Sequence, residues 1–149
     1  VEDDQNADDE KRNDKKVPVT EETPTIRNIF FKNINVVSSH EALFIMGLAE
    51  MNIKNIVVEN STFDTKKALS IIDADGIQLK NVKFNYKDGK AVTIFNSKNV
   101  DLSTTEFKSA TTPEIKIIGN ESDKIKLPKA FDKKNVTSSK EVKKNAVIN

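Results

Sequence analysis

Two carboxylates in close succession are the first candidates for chemistry in this sequence. Asp73 and Asp75 are two residues apart, so on a strand they would share one side and could share a proton or a ligand. The segment Ala74-Asp75-Gly76, however, is typical of a turn, in which an Asp side chain caps its own backbone. No His or Arg is close in sequence, and the segment offers too few oxygens for calcium. We therefore interpret the pair as part of a turn and predict no catalytic residue and no metal ligand.

The single histidine is a second candidate. His40 lies in the polar stretch Ser38-Ser39-His40-Glu41, but adjacent Ser, His and Glu do not make a catalytic triad, which is defined by geometry. We interpret His40 as an exposed residue of a bend. Glu50, which precedes Met51, receives no role beyond a bend.

One aromatic residue has several basic neighbours. Tyr86 lies among Lys83, Lys87 and Lys90, which could together form a small surface for a polyanion, although a solvated loop is the simpler interpretation. Three triplets also fit the acceptor pattern for N-glycosylation, a pattern that is frequent by chance. They begin at Asn60, Asn120 and Asn135.

Composition excludes several classes of protein. The 149 residues include 24 basic and 23 acidic ones, a balance that lacks the basic character of a dedicated nucleic-acid binder. The absence of Cys excludes disulfides, a thiol nucleophile and a Cys-ligated zinc site. The sequence contains no apolar run of about 18 residues, so no membrane span is predicted, and we recognise no secretory signal at its start. Because the first residue is Val1, we expect a processed or excised piece.

Charge divides the chain into three parts. Residues 1–22 hold nine acidic residues against four basic ones and few apolar residues, which predicts a solvated arm or loop. Residues 123–149 hold eight Lys against three acidic residues and are interpreted as a basic closing segment or tail. Residues 23–122 carry most of the apolar side chains and are expected to form the fold.

The middle part is a repeat with two independent registers. One register has steps of 27, 21 and 23 residues, and the other has steps of 26, 23 and 23. The first aligns Asn33, Asn60, Asn81 and Thr104, and the second aligns Ile45, Ile71, Ile94 and Ile117. The repeated segments alternate apolar and polar residues and are rich in Ile, Val and Phe, which favours strands.

A repeat of this length cannot bury its own apolar side, so it must stack on copies of itself. The sequence therefore predicts an all-β parallel β-solenoid of about four coils, with polar arms at both ends. A leucine-rich repeat is excluded because neither its consensus nor its helix is present. The repeated Asn residues are expected at bends, where their side chains could form a ladder; ligand binding by them is the alternative.

The two ends of the predicted column should differ. The first coil begins near Thr25 with no apolar cap before it, which suggests that further coils precede Val1 and predicts self-association through the open coil. At the other end, weak closure is expected from four apolar residues. They are Ile125, Leu127, Ala130 and Phe131.

Three consecutive runs resemble the late coils of glycoside hydrolase family 28, the polygalacturonases and related pectin-degrading enzymes. The most specific is the middle one, Gly47-Leu48-x-Glu50-Met51-x-Ile53-x-Asn55-Ile56-x-x-Glu59-Asn60. Before it stands Thr23-Pro24-x-Ile26-x-Asn28-Ile29-x-Phe31-x-Asn33-Ile34, and after it Asp73-x-Asp75-x-Ile77-x-Leu79-x-Asn81-Val82. The resemblance covers residues 23–85 well and 86–122 only as a generic solenoid. It implies a right-handed parallel β-helix and a secreted or periplasmic parent enzyme that acts on pectic polysaccharide.

The catalytic motifs of that family are not found in this chain. The family inverts the anomeric centre with Asp residues and carries Asn-x-Asp, Asp-Asp, Gly-His-Gly and Arg-x-Lys motifs before the coils matched here. Asn6-Ala7-Asp8-Asp9 contains an Asn-x-Asp, but it lies in the polar arm, and neither Gly-His-Gly nor Arg-x-Lys occurs. No catalytic residue is therefore carried over, and the substrate-binding residues stay open.

The resemblance implies the C-terminal β-helix portion of a polygalacturonase-like hydrolase, scaffolding and not catalytic by itself. Its partner would be pectic polysaccharide through the parent enzyme, for which residues around Tyr86 could serve. No cofactor, nucleic acid or membrane partner is predicted. The alternative is a non-catalytic β-solenoid that binds glycan or mediates surface adhesion. An intact lyase with an unidentified calcium site ranks below both.

Overall fold

The structure is a computed structural model that describes residues 15–88 and 90–148. These residues form eleven strands, all paired in parallel, and one short 3-10 helix. The strands are β1 (Arg27–Lys32), β2 (Asn35–Met46), β3 (Ile53–Ile72), β4 (Ala74–Tyr86), β5 (Lys90–Phe95), β6 (Lys98–Asp101), β7 (Thr105–Ser109), β8 (Glu114–Ile118), β9 (Asp123–Lys126), β10 (Val136–Ser138) and β11 (Val147–Ile148). The helix is Lys133–Asn135.

The strands wind into a β-solenoid of about five turns. The first face is built from β1, the starts of β3 and β4, then β6, β9 and β11. The second face follows from the start of β2, the middle of β3, the end of β4 and β7. The third comprises the end of β2, the end of β3, β5, β8 and β10. The predicted all-β solenoid is confirmed, while its right-handed sense stays a prediction.

The bends are made by residues in the left-handed backbone region. Gly adopts this region without strain, and Asn adopts it more readily than most L-amino acids. Three of these positions repeat from coil to coil. One is occupied by Asn28, Asn55, Gly76, Asn99 and Lys124, a second by Asn33, Asn60 and Asn81, and a third by Asp73, Asn96 and Gly119. One rung of the predicted ladder is present, because Asn81 Nδ2 donates to Asn60 Oδ1 at 2.8 Å. At the other position, Asn55 Nδ2 donates to Asn28 Oδ1 at 3.1 Å.

The core consists of columns of identical or similar side chains, one from each coil. On the third face, Ile45, Ile71 and Ile94 are directly paired and all are buried, as the second register predicts. On the second face, Phe63, Phe84 and Phe107 stack with ring centroids 5.3 and 5.2 Å apart. Such ladders bury apolar area in every coil and fix the register, since a slip would move polar residues inward.

The last coil is more complete than the sequence indicates. Residues 123–148 supply strands β9, β10 and β11, which pair with the coil above and add a turn to the four predicted. Ile125 is fully buried, Leu127 and Phe131 are partly buried, and Ala130 is exposed, so three of the four expected closing residues contribute. Phe131 meets the Phe107 ring edge-on at 6.4 Å and ends the aromatic column.

The arm before the first coil is described only from Lys15. Residues 15–22 form no strand and are exposed, whereas residues 1–14, with their acidic cluster and the Asn6-Ala7-Asp8-Asp9 sequence, lie outside the described residues. Lys16 Nζ contacts Glu121 Oε1, in the turn that follows β8. This contact places the arm beside the fourth coil rather than above the first.

Candidate functional site

The two aspartates of the first candidate site have separate structural tasks. Asp73 is fully buried at a bend with φ +48, where its N–H donates to Phe95 O at 3.0 Å. Its carbonyl accepts from the N–H of Ile53 at 3.1 Å. Asp75 Oδ1 accepts a hydrogen bond from Asn99 Nδ2 of the next coil at 2.7 Å. The turn interpretation is wrong for Ala74-Asp75-Gly76, which lies in strand β4, and the Asp75 carboxylate joins two coils instead of capping its own backbone; only Asp73 lies at a bend.

His40 and Glu50 are not brought together with other titratable groups into a site. His40 is exposed, as predicted, but it lies within strand β2 just after a bulge at Ser38, so the expected bend is a strand irregularity instead. The bulge allows the chain to turn from the second face to the third while the strand continues. Glu50 is half-buried in the loop between β2 and β3, whose ends meet where Leu48 N–H donates to Met51 O at 3.1 Å.

A third carboxylate, Asp101, acts as a cap. Its Oδ1 accepts from Ser103 N–H at 3.0 Å and from the Ser103 hydroxyl at 2.6 Å. Partial burial works against ionisation here, but these hydrogen bonds outweigh it and lower the pKa of Asp101. A carboxyl group that is held ionised in this way is unsuited to serve as a general acid at neutral pH.

The predicted aromatic and basic surface corresponds to a shallow groove of about 350 Å³. It crosses three coils at the end of the second face, since its outer wall is the column Asp64, Asn85 and Lys108. Tyr86 and Lys87 line it, as does Ser109. Of the other predicted members, Lys83 pairs with Glu106 at 3.8 Å, and the Lys90 side chain lies outside what the structure describes.

Sequence reasoning missed Lys108 at this groove, although a signal existed. Lys108 follows the aligned Phe107 just as Asn85 follows Phe84 and Asp64 follows Phe63. Reading the repeat column by column would have placed the three outward side chains together. The groove combines two Lys with one Asp, which makes its surface weakly basic.

Tyr86 is the most perturbed residue at the groove. Only 4% of it is exposed, and its hydroxyl has no hydrogen-bond partner among the residues that the structure describes. Burial raises the pKa of Tyr86 from its ordinary value of 10 to about 12, and the neighbouring Ser109 hydroxyl opposes only part of that shift. The hydroxyl therefore stays neutral far into the alkaline range.

This shift predicts a loss of stability at high pH. Below pH 10 the phenol is neutral in both folded and unfolded chains; above it, the unfolded chain ionises while the folded chain resists until about pH 12. We expect the free energy of unfolding to fall by roughly 2–3 kcal/mol across that window.

The measurement is simple because Tyr86 is the sole Tyr and there is no Trp, so absorbance at 295 nm follows the ionisation of Tyr86 alone. A midpoint near 10 in the folded protein would show that Tyr86 is open to water. In Tyr86→Phe the loss between pH 10 and 12 should shrink accordingly.

Other kinds of site are not found in the described ranges. No group of three or more acidic, His or Cys side chains there is placed to hold a metal ion. None of the helices in residues 15–88 and 90–148 has the length and hydrophobicity needed to cross a bilayer.

Comparison with known proteins gives no relative: no family model, curated protein or solved structure matches the chain. The structure defines the class of protein as a parallel β-solenoid in which several polar bend residues join neighbouring coils.

Proposed function

We propose that this chain is a scaffolding β-helix portion of a polysaccharide-degrading glycoside hydrolase, of the kind that cleaves pectic bonds with inversion, and that it does not catalyse cleavage by itself. The observation that carries the proposal is the use of polar groups within the fold. Asn81 bonds to Asn60, Asp75 accepts from Asn99, and Asp101 caps a turn. A scaffold needs groups that hold its coils in register, whereas a catalytic site needs unbonded groups directed at a substrate.

The chemistry of the proposed parent supports a scaffolding role for this chain and a catalytic site elsewhere in the parent. Inverting hydrolysis needs two carboxyl groups roughly 6.5–9.5 Å apart, one protonated and one ionised, on either side of the sugar. The best acidic pair of this chain, Asp73 and Asp75, is incorporated in a bend and a ladder. The link to pectin rests on the sequence resemblance of residues 23–85, and the same resemblance is the basis for proposing a secreted or periplasmic parent.

A second candidate is a non-catalytic module that binds an acidic glycan. It is favoured by the groove at Tyr86, where Lys87 and Lys108 stand beside an aromatic residue and only Asp64 opposes their charge. Such a surface would bind a polyanion weakly and in a salt-dependent manner. Under this candidate, polygalacturonate held in the gel would retard the 149-residue chain itself in affinity electrophoresis.

The proposed function is tested by comparing this chain with the native polypeptide that contains it. The native protein is captured from its source with an antibody against residues 23–122, and both samples are incubated with polygalacturonate. We expect new reducing ends from the native protein and none from the 149-residue chain. Turnover by the chain alone would contradict scaffolding. An inactive native protein that nevertheless binds the polymer would support the second candidate.

A further inference from the structure

Exposed apolar side chains are concentrated at one end of the column. Among the described residues, ten large apolar side chains are exposed; seven belong to the first coil, between residues 26 and 48, two are Val17 and Val19 of the arm, and the other is Ile148 in the last coil. Chance would spread them along the five coils. Large exposed apolar areas of this kind mark interaction surfaces in soluble proteins.

Within the first coil these side chains project outward from all three faces. Phe30 on the first face, Val37 on the second and Phe44 on the third are 58%, 65% and 57% exposed. In the next coil, the residues paired with Val37 and Phe44 are Asp64 and Ser70, whereas Phe30 is paired with Val57, which is half-buried. The first coil alone thus has exposed large apolar residues on all three faces, and we call Phe30, Val37 and Phe44 the apolar ring.

The backbone of the same coil also has an open edge. Strands β1 and β2 pair with β3 on one side and, within the described part of the chain, with no strand on the other. Such an edge offers unpaired N–H and C=O groups to another chain. Three core columns also end here, at Ile29, Val36 and Leu43, which are only partly buried because no coil covers them.

The shape of this surface selects its partner. A flat partner can contact one face, whereas the apolar ring runs around three faces and the open edge follows the same outline. Only another coil has an outline that meets the edge, the column ends and the ring together. It would extend each ladder by one member, as every coil below already does.

The chain just before the first coil does not supply that coil. Residues 15–22 are exposed and form no strand, and Lys16 contacts Glu121 beside the fourth coil. The arm turns where Thr23 N–H donates to Thr20 O at 3.1 Å and enters the first coil near Thr25. The described arm therefore runs along the side of the column and leaves the open edge uncovered.

The far end of the column does not match the open edge either. In the last coil Pro128 and Ala146 are buried, and Phe131 lies against Phe107. Ile148 is the sole exposed large apolar residue of that described coil. Head-to-tail stacking would thus set the long apolar edge of β1 and β2 on a basic end whose own edge strands, β10 and β11, are only three and two residues long. A first coil offers the matching surface, and that surface is present on a second copy.

We propose that two copies of this chain associate through their first coils around a two-fold axis. The axis reverses the partner, so the open edges of β1 and β2 meet edges of the partner in antiparallel pairs, which are at least as stable as parallel ones. Each apolar column end then faces an apolar column end, as an isologous interface requires. The proposal concerns the 149-residue chain: further coils before the first one, which the proposed parent would supply, would cover the same edge, and in such a parent this association would not form.

The oligomeric state of the 149-residue chain tests this proposal. Light scattering after size exclusion, at about 50 μM and thus above a micromolar Kd, should give twice the monomer mass of 16.7 kDa. The double variant Phe30→Lys/Phe44→Lys should weaken association at least tenfold, since charge on an edge strand opposes pairing. Ile148→Lys introduces the same charge at the exposed apolar residue of the last coil; it is the control and should remain dimeric.

Two outcomes would overturn the proposal. One is a wild-type chain that stays monomeric at that concentration. The other is association that persists in Phe30→Lys/Phe44→Lys but is lost in Ile148→Lys, which would place the contact at the last coil. Circular dichroism shows whether each variant is folded. Both variants should retain the strand spectrum of the wild type, so that a loss of association reports on the interface and not on unfolding.

Discussion

Replacing Ile71 with Asp is expected to unfold the column. Ile71 has no exposed surface and sits in the middle of a ladder between Ile45 and Ile94. An Asp there would be surrounded by aliphatic side chains with no cation to pair with, at a cost of about 5 kcal/mol or more. A domain of this size is typically stable by only about 5–15 kcal/mol. We therefore expect the strand signal in circular dichroism to be lost or its melting temperature to fall steeply.

The matched control for this change is Thr93→Asp. Thr93 lies on the same face one coil further on, directly before Ile94, but it points outward and is only half-buried. Its replacement should alter stability by about 1 kcal/mol or less, because water can solvate the new carboxylate. Equal melting temperatures for the Ile71 and Thr93 variants would show that the assigned inward and outward positions are wrong.

Gly47→Ala is expected to be more disruptive than Gly76→Ala. A Cβ at this position would lie 2.2 Å from Asp73 O and 2.4 Å from Ile53 N, and both are backbone atoms. Those atoms are hydrogen-bonded to each other at 3.1 Å, so relieving the clash means breaking a coil-to-coil bond. We expect a loss of about 3 kcal/mol or more, measured by urea denaturation.

Gly76→Ala provides the comparison for that prediction. Gly76 has φ +82, and an added Cβ would meet the movable Asn55 side chain at 2.9 Å. The penalty is then mainly the left-handed backbone, about 1–2 kcal/mol. The predicted order is thus Gly47→Ala worse than Gly76→Ala. The reverse order would mean that the loop after β2 can move away from β3 at little cost, and that the close approach at Gly47 is not a constraint.

The fold could be predicted from the sequence because one repeat unit is copied with its register intact. Aligning Ile45 with Ile71 and Ile94 predicts the same pairs that the strands make. Thr104, which occupies the repeat position of Asn81 in the next coil, is also where the alignment predicts it, because Asn81 N–H donates to Thr104 Oγ1 at 3.1 Å. In a solenoid, each long-range contact is a one-repeat step, so periodicity reports tertiary structure directly.

The last coil could not be predicted in the same way. Its strands are two to four residues long, and each contributes few inward residues amid many Lys. Ile125 and Val147 do continue the first-face column, but strands with at most one buried residue give no alternation to detect. Composition alone therefore indicated a tail, whereas the coil above supplies the template on which this segment orders.

The candidate site was only partly predictable for a related reason. Tyr86 and Lys87 are neighbours in sequence and could be grouped at once, whereas Lys108 and Asp64 join them only through stacking. The burial of the Tyr86 hydroxyl is likewise a property of the folded chain that no residue pattern encodes. The outward ring of the first coil was likewise hidden, since exposed and buried Phe look alike in a sequence.

The measurement that tests the scaffolding account most directly is the mass and sequence of the native polypeptide. An antibody against residues 23–122 would recover it, and mass spectrometry would identify its peptides. The account predicts a product well above 16.7 kDa whose additional sequence carries Asn-x-Asp, Asp-Asp, Gly-His-Gly and Arg-x-Lys motifs. A native product that begins at Val1 and has the mass of this chain alone would contradict it.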